Sequence, residues 1–191
     1  MRILLLAIPL LLFGCKNLGD GPAVENGTIE RPTTIIAQPI IPEDGVKGDF
    51  IGNRDSLFVF VGRIDTLNET TLLAFENDGL PPITIPESRG AKLQVLKLAN
   101  FKSDVILVNA KPTDTNFNDY YLFVWNDSLW QQPVSRFSIH KSNISDTLAP
   151  IILDPADSTK LLRYYSVFEM DRKSEKKYTW RLMRESVPLE E

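Results

Sequence analysis

The chain has 191 residues, 43% of them hydrophobic and 24% charged, with 21 Lys and Arg against 25 Asp and Glu and a formal charge of −4. A mildly acidic, mixed surface without a basic stripe gives a phosphate backbone no electrostatic footprint, so nucleic acid is excluded as an expected partner. This length and apolar content suffice for one domain of ordinary size holding by its own core.

The chain opens with Arg2, an apolar run over residues 3–13 and small Gly14. That is the layout of a secretory signal, too short to span a bilayer as a helix, so residues 1–14 are expected to be removed. Cys15, the only cysteine, stands directly after Leu12-Phe13-Gly14, and this arrangement resembles the lipobox of bacterial lipoproteins. The resemblance implies diacylglycerol on the Cys15 sulfur, cleavage before it and acylation of the new amino terminus. Several acyl chains on one residue make attachment stable where one would be marginal. Lys16 follows, with no Asp there to resemble an inner-membrane retention signal, so the expected destination is the outer membrane, with its periplasmic and outer sides both open. Loss of Arg2 lowers the basic count of 21 by one and moves the formal charge from −4 to −5. Once Cys15 carries lipid no thiol remains, which excludes a disulfide and a cysteine-based zinc site.

Residues 15–47 are rich in glycine and proline and read as a flexible, lipid-anchored linker. Within it, 33–36 and 39–41 are apolar enough to dock as a strand. From 48 to 191 the sequence reads as an all-β domain. Short β-branched or aromatic runs at 57–64, 71–75, 93–98, 105–110, 120–125, 136–140, 161–170 and 178–183 are separated by Asn, Asp, Gly, Pro and Ser clusters. Residues 57–61 and 121–125 are apolar on both faces and should be central strands covered on both sides. Residues 178–182 alternate, which suits an outer sheet.

An internal repeat underlies these strands. Asp55-Ser56-Leu57-Phe58-Val59 aligns with Asp104-Val105-Ile106-Leu107-Val108, Asp65-Thr66 with Asp114-Thr115, and residues 71–78 with the run that ends at Asp127, at an offset of 49. A weaker third copy occupies 163–183 as one long hairpin. A period near 50 residues with about four strands per copy is the size of a propeller blade. Three copies do not close a ring, so the expected fold is a set of antiparallel blade-like repeats, either incomplete propeller-like or a β-sandwich. The offset predicts matching environments for the Asp55 and Asp104 segments and for Phe75 and Val124. Gly48-Asp49-Phe50-Ile51-Gly52-Asn53-Arg54-Asp55 also resembles a degenerate FG-GAP or VCBS repeat. Ile51 replaces that family's usual polar ligand and the loop is one residue short, which argues against calcium there.

Asp114, Asn116 and Asn118 place oxygen-bearing side chains at alternate positions, the opening of a calcium loop. Asp119 stands where glycine is wanted and no Glu follows at the twelfth position, so a hairpin turn using local side-chain to backbone bonds is the preferred reading, and no metal is expected. His140, the only histidine, has no Gly-x-Ser-x-Gly elbow to serve and reads as a strand-end residue touching solvent. Glu43-Asp44 and Glu190-Glu191 read as solvated acids. Trp125, Trp130, Trp180, Tyr120 and Tyr121 read chiefly as core. A sugar-stacking platform is the alternative, with Trp130 its best candidate ligand-binding residue because it follows the Asn126-Asp127-Ser128 turn. Asp followed by Ser or Thr and then Leu or Thr recurs at Ser56, Thr66, Ser128, Thr147 and Ser158, more often than composition predicts. These triplets resemble O-glycosylation sites of exported Bacteroidetes proteins, and turn chemistry is the competing reading.

Together these features lead to the expectation of a non-enzymatic cell-envelope lipoprotein acting as a binding or assembly module. No catalytic residue or cofactor is assigned, and its partners are the membrane through its lipid and an envelope protein or glycan. The alternatives are an envelope glycan hydrolase working through two carboxylates held across a cleft, and a purely structural lipoprotein.

Overall fold

The computed structural model describes residues 42–189; the signal segment, Cys15 and the stretches 33–36 and 39–41 lie outside the described residues. Twelve strands run in chain order as β1 (Val46–Gly48), β2 (Leu57–Asp65), β3 (Thr70–Phe75), β4 (Ile83–Ile85), β5 (Ala91–Leu96), β6 (Val105–Ala110), β7 (Phe117–Asn126), β8 (Leu129–Gln131), β9 (Phe137–His140), β10 (Ile151–Leu153), β11 (Lys160–Met170) and β12 (Tyr178–Pro188). No α-helix occurs among the described residues. The eight anticipated runs are all strands. The four that the sequence did not disclose, β1, β4, β8 and β10, have three residues each, too few to express a period. β1 pairs with β2 from Val46 onward, so Val46 and Lys47, assigned above to the linker, belong to the domain.

All pairings are antiparallel, and they make three sheets: β1-β2-β3-β4, then β5-β6-β7-β8 with β9 sharing the second edge of β7, then β10-β11-β12. The second sheet is the middle layer. One face of it, through Ile106, Val108, Tyr121 and Phe123, packs with Val59, Leu73, Phe75 and Ile85 of the first sheet. Its other face, through Val105, Leu107, Tyr120 and Leu122, packs with Ile151 and Leu161 of the third. Apolar residues on both faces of β6 and β7 are what a middle layer requires.

The expected cover of β2 on both sides is met only in part. Val59 and Phe60 are buried, but Leu57, Phe58 and Val61 are half-exposed because the first sheet is an outer layer. The Lys47 ammonium, 5.2 Å from the Phe58 ring centroid, shields some of that outer face.

The first sheet and the β5–β8 part of the second share strand order, and β2 and β6 are each the second strand of a separate sheet, as the repeat implied. Side-chain register does not follow the constant offset. Val59 faces Phe75 across β2–β3, whereas Val108 faces Tyr121, not Val124, across β6–β7. Phe75 is buried in the first core and Val124 packs against the second, so the expected match of their environments is corrected. A register difference of three residues is odd and therefore reverses the side-chain sense. Its local origin is a bulge between Val61 and Arg63 in β2 that β6–β7 lacks, together with connections of different length, 66–69 and 111–116.

The Gly48–Asp55 segment ties these layers together. Phe50 is fully buried in the first core. Asp49 fixes its own loop, its Oδ1 accepting from Gly52 N at 2.7 Å and its Oδ2 from Arg54 N at 2.9 Å. Asp49 N donates to Asp104 Oδ2 at 2.9 Å and Asp104 N to Asp49 O at 2.8 Å, joining the loop before β2 to the residue before β6. Between the first two sheets, buried Thr71 Oγ1 accepts from Gly90 N at 2.9 Å and lies 2.9 Å from Ser88 Oγ, which donates to Gly90 O. A buried polar group has to be bonded in this way to avoid its desolvation cost.

Candidate functional site

β11 and β12 are matched over 11 residues each, but β10 covers only Leu161 to Arg163 of β11. The far end of the hairpin therefore projects as an arm. Alternation places Phe168 opposite Trp180 and Met170 opposite Tyr178, so all four share one face. Beneath that face lie the last residue of β9 and the first of β7, His140 and Phe117, which are themselves a cross-strand pair. Trp180 stacks on His140 at 5.3 Å and 16° and meets Phe117 edge-on at 4.9 Å and 87°. The arm is pinned here: Ser166 Oγ accepts from His140 N and from Asn143 Nδ2, both at 2.9 Å, and Asn143 Nδ2 also donates to Trp180 O at 2.8 Å.

Beyond the pin, Phe168 and Tyr178 stack on each other at 5.2 Å and are 53% and 40% exposed. Between the arm and the loop entering β7 lies an open cleft of about 510 Å³, lined by these aromatics and by Asp114, Asn116, Ser142, Lys176 and Thr179. Its size falls within the range of small-molecule sites. Asp114 Oδ1 is occupied by Asn116 N and Nδ2, each at 2.9 Å. Asp114 Oδ2, Asn116 Oδ1, Tyr178 Oη, Thr179 Oγ1, Lys176 Nζ and Trp180 Nε1 have no hydrogen-bond partner among the described residues. The cleft thus joins an aromatic wall to donors and acceptors left for solvent or a ligand.

The candidates named from sequence are distributed differently. Asp114 and Asn116 reach the cleft, but Asn118 lies inside β7 opposite Ile139 and its amide donates to Tyr120 Oη at 3.5 Å. The 114–116 segment is an Asx turn rather than a converging ligand set, because one Asp114 oxygen is spent on the chain two residues on. Trp130 is not a platform. Its ring lies on Phe75 at 5.0 Å and 8°, with Phe50 and Trp125 edge-on, and its indole N–H donates to Pro81 O at 2.8 Å. Trp180, one of the five aromatics considered above, is the one that lines the cleft. Phe117, Phe168 and Tyr178 were not singled out, since only the β11–β12 register shows that the last two share its face.

His140 ends its strand as expected and caps the 3-10 turn Lys141–Asn143, its Nδ1 accepting from Ser142 N at 3.2 Å and lying 2.8 Å from Ser142 Oγ. Ser56, Thr66, Ser128, Thr147 and Ser158 are all exposed in turns or loops. Turn chemistry explains the preceding aspartate at two of them: Asp65 Oδ1 accepts from Leu67 N and Asn68 N, and Asp157 Oδ1 from Thr159 N and Oγ1. Among the described residues, the carboxyls with displaced pKa values all move down. The Asn68 backbone N–H lowers Asp65, the Thr113 hydroxyl lowers Glu69 and the Ser186 hydroxyl lowers Asp154. The Thr159 hydroxyl, followed by Lys160, lowers Asp157 to about 2. These are the shifts of hydrogen-bonded, ionised carboxylates, opposite to that of an acid held protonated for proton donation.

Comparison of the chain with known protein families, with curated proteins and with solved structures finds no match.

Proposed function

We propose that the protein is an exported, lipid-anchored component of the bacterial cell envelope, held at the outer membrane through Cys15 and acting as a non-enzymatic binding or assembly module. The anchoring part rests on Leu12-Phe13-Gly14-Cys15 at the end of an apolar run. The binding part is carried by one observation: the open cleft at the β11–β12 arm gathers exposed aromatic faces and unbonded polar groups in one place. Solvent-facing aromatics concentrated in a concave site mark a binding surface more often than scattered ones do.

Fractionation with metabolic lipid labelling tests the anchoring. The wild type labels and partitions with outer membranes, and Cys15→Ser stays unprocessed or soluble; a soluble, unlabelled wild type contradicts the reading. Exposure of all five candidate hydroxyls is compatible with O-glycans at Ser56, Thr66, Ser128, Thr147 or Ser158. The intact mass from the native host then exceeds that of the lipidated polypeptide, and equality of the two assigns the triplets to turn chemistry alone.

A further inference from the structure

We infer that the cleft between the β11–β12 arm and the 114–117 loop binds an oligosaccharide, its pyranose rings laid against Tyr178, Phe168 and Trp180. This deepens the binding-module reading and rests on it. A pyranose presents an apolar C–H face and a rim of hydroxyls that both donate and accept. The cleft presents the complement: a stack of aromatic rings on one side, and unbonded acceptors (Asp114 Oδ2, Asn116 Oδ1) and donors (Trp180 Nε1, Lys176 Nζ) around it. Among the described residues Tyr178 has no ring neighbour except Phe168, and it is 40% exposed, leaving its other face for a sugar. Aromatic side chains with a polar handle suit a ligand with one apolar face and a wet edge.

The competing occupant is a peptide, and the geometry disfavours it. Strand addition needs free backbone groups along an edge, but at the cleft Trp180 O already accepts from Asn143 Nδ2 at 2.8 Å. The wall carries charge of both signs, Asp114 and Lys176. Lys176 lies in a turn where Arg172, Lys173 and Lys177 outnumber Asp171 and Glu175, so a uronate-bearing chain would gain there over a neutral one.

Calorimetric titration of the full-length lipidated protein in detergent, with cellotetraose, chitotetraose and tetragalacturonate as probes, tests the inference. The expected result is saturable binding of at least one probe, weakened about tenfold or more by Tyr178→Ala, as loss of a stacking face requires. Trp180→Ala also weakens binding. Trp130→Phe, which keeps the ring in the first core, leaves it unchanged. Preference for tetragalacturonate that falls with salt and with Lys176→Ala identifies an acidic saccharide; binding of cellotetraose or chitotetraose insensitive to both identifies a neutral one. Absence of saturable heat for all three up to about 10 mM, the weak end of measurable affinity, overturns the inference. So does saccharide binding indifferent to Tyr178→Ala, or cleft-dependent capture of an unstructured peptide in place of any sugar. Lipid labelling on the same sample separates the two readings: labelled protein that binds no sugar removes only the ligand class, and sugar-binding protein without label removes only the anchor.

Discussion

Two aromatic clusters of similar composition have opposite fates in this molecule. Around half-buried Trp130, the rings of Phe50, Phe75 and Trp125 pack on the indole and its N–H is bonded to Pro81 O. Around Trp180, Phe117 and His140 close one side while Phe168 and Tyr178 remain exposed and the N–H has no partner among the described residues. The difference arises in the sheets. β8, which carries Trp130, borders the core between the first and second sheets, whereas β12 extends past the short β10 and leaves its tip uncovered. Aromatics pack where two layers meet and stay open to solvent where one layer overhangs.

The largest expected effect is that of Trp130→Ala, which should cost about 3 kcal/mol of folding free energy, since it removes an indole packed on the buried rings of Phe50 and Phe75. Chemical denaturation reads it directly. Gly48→Ala should cost about 2 kcal/mol, because the added Cβ would stand 2.7 Å from Phe50 Cε1 and push a fully buried ring. A neutral outcome for either variant would mean that the first cluster is looser than described. Tyr178→Ala should change stability by no more than about 0.5 kcal/mol, as expected for an exposed residue outside the core; a loss as large as that of Trp130→Ala would erase the contrast.

The smallest effect concerns acid. Asp157, in the turn between β10 and β11, has a folded-state pKa of about 2 against an ordinary 3.8, owing first to the Thr159 hydroxyl. A depressed carboxyl contributes stability that is fully present above the unfolded value and is lost as pH falls through the folded one. The denaturation midpoint should therefore decline between about pH 4 and pH 2, and Asp157→Asn should remove a small part of that decline. An unchanged acid profile in the variant would place the sensitivity elsewhere.

The strands were legible because apolar and β-branched runs of five or more residues carry their own period. The three-residue strands β1, β4, β8 and β10 were not, since their pairing is set by neighbours and not by local pattern. The repeat announced two units of matching strand order, but the opposite fates of Phe75 and Val124 depend on the bulge at Val61/Arg63 and on loop lengths, which the aligned residues do not express. The cleft was half visible. Asp114, Asn116 and Trp180 had been singled out for separate reasons, and only cross-strand register brings them beside Phe168 and Tyr178.

The contrast between the two indoles is tested most directly by NMR of the tryptophan side-chain N–H groups in the full-length protein, with and without the oligosaccharide that binds best. The Trp130 signal should exchange slowly with solvent, held by its 2.8 Å bond to Pro81 O, and stay in place on titration. The Trp180 signal should exchange rapidly and shift as saccharide is added. Equal protection of the two, or a ligand-induced shift confined to Trp130, would contradict the account.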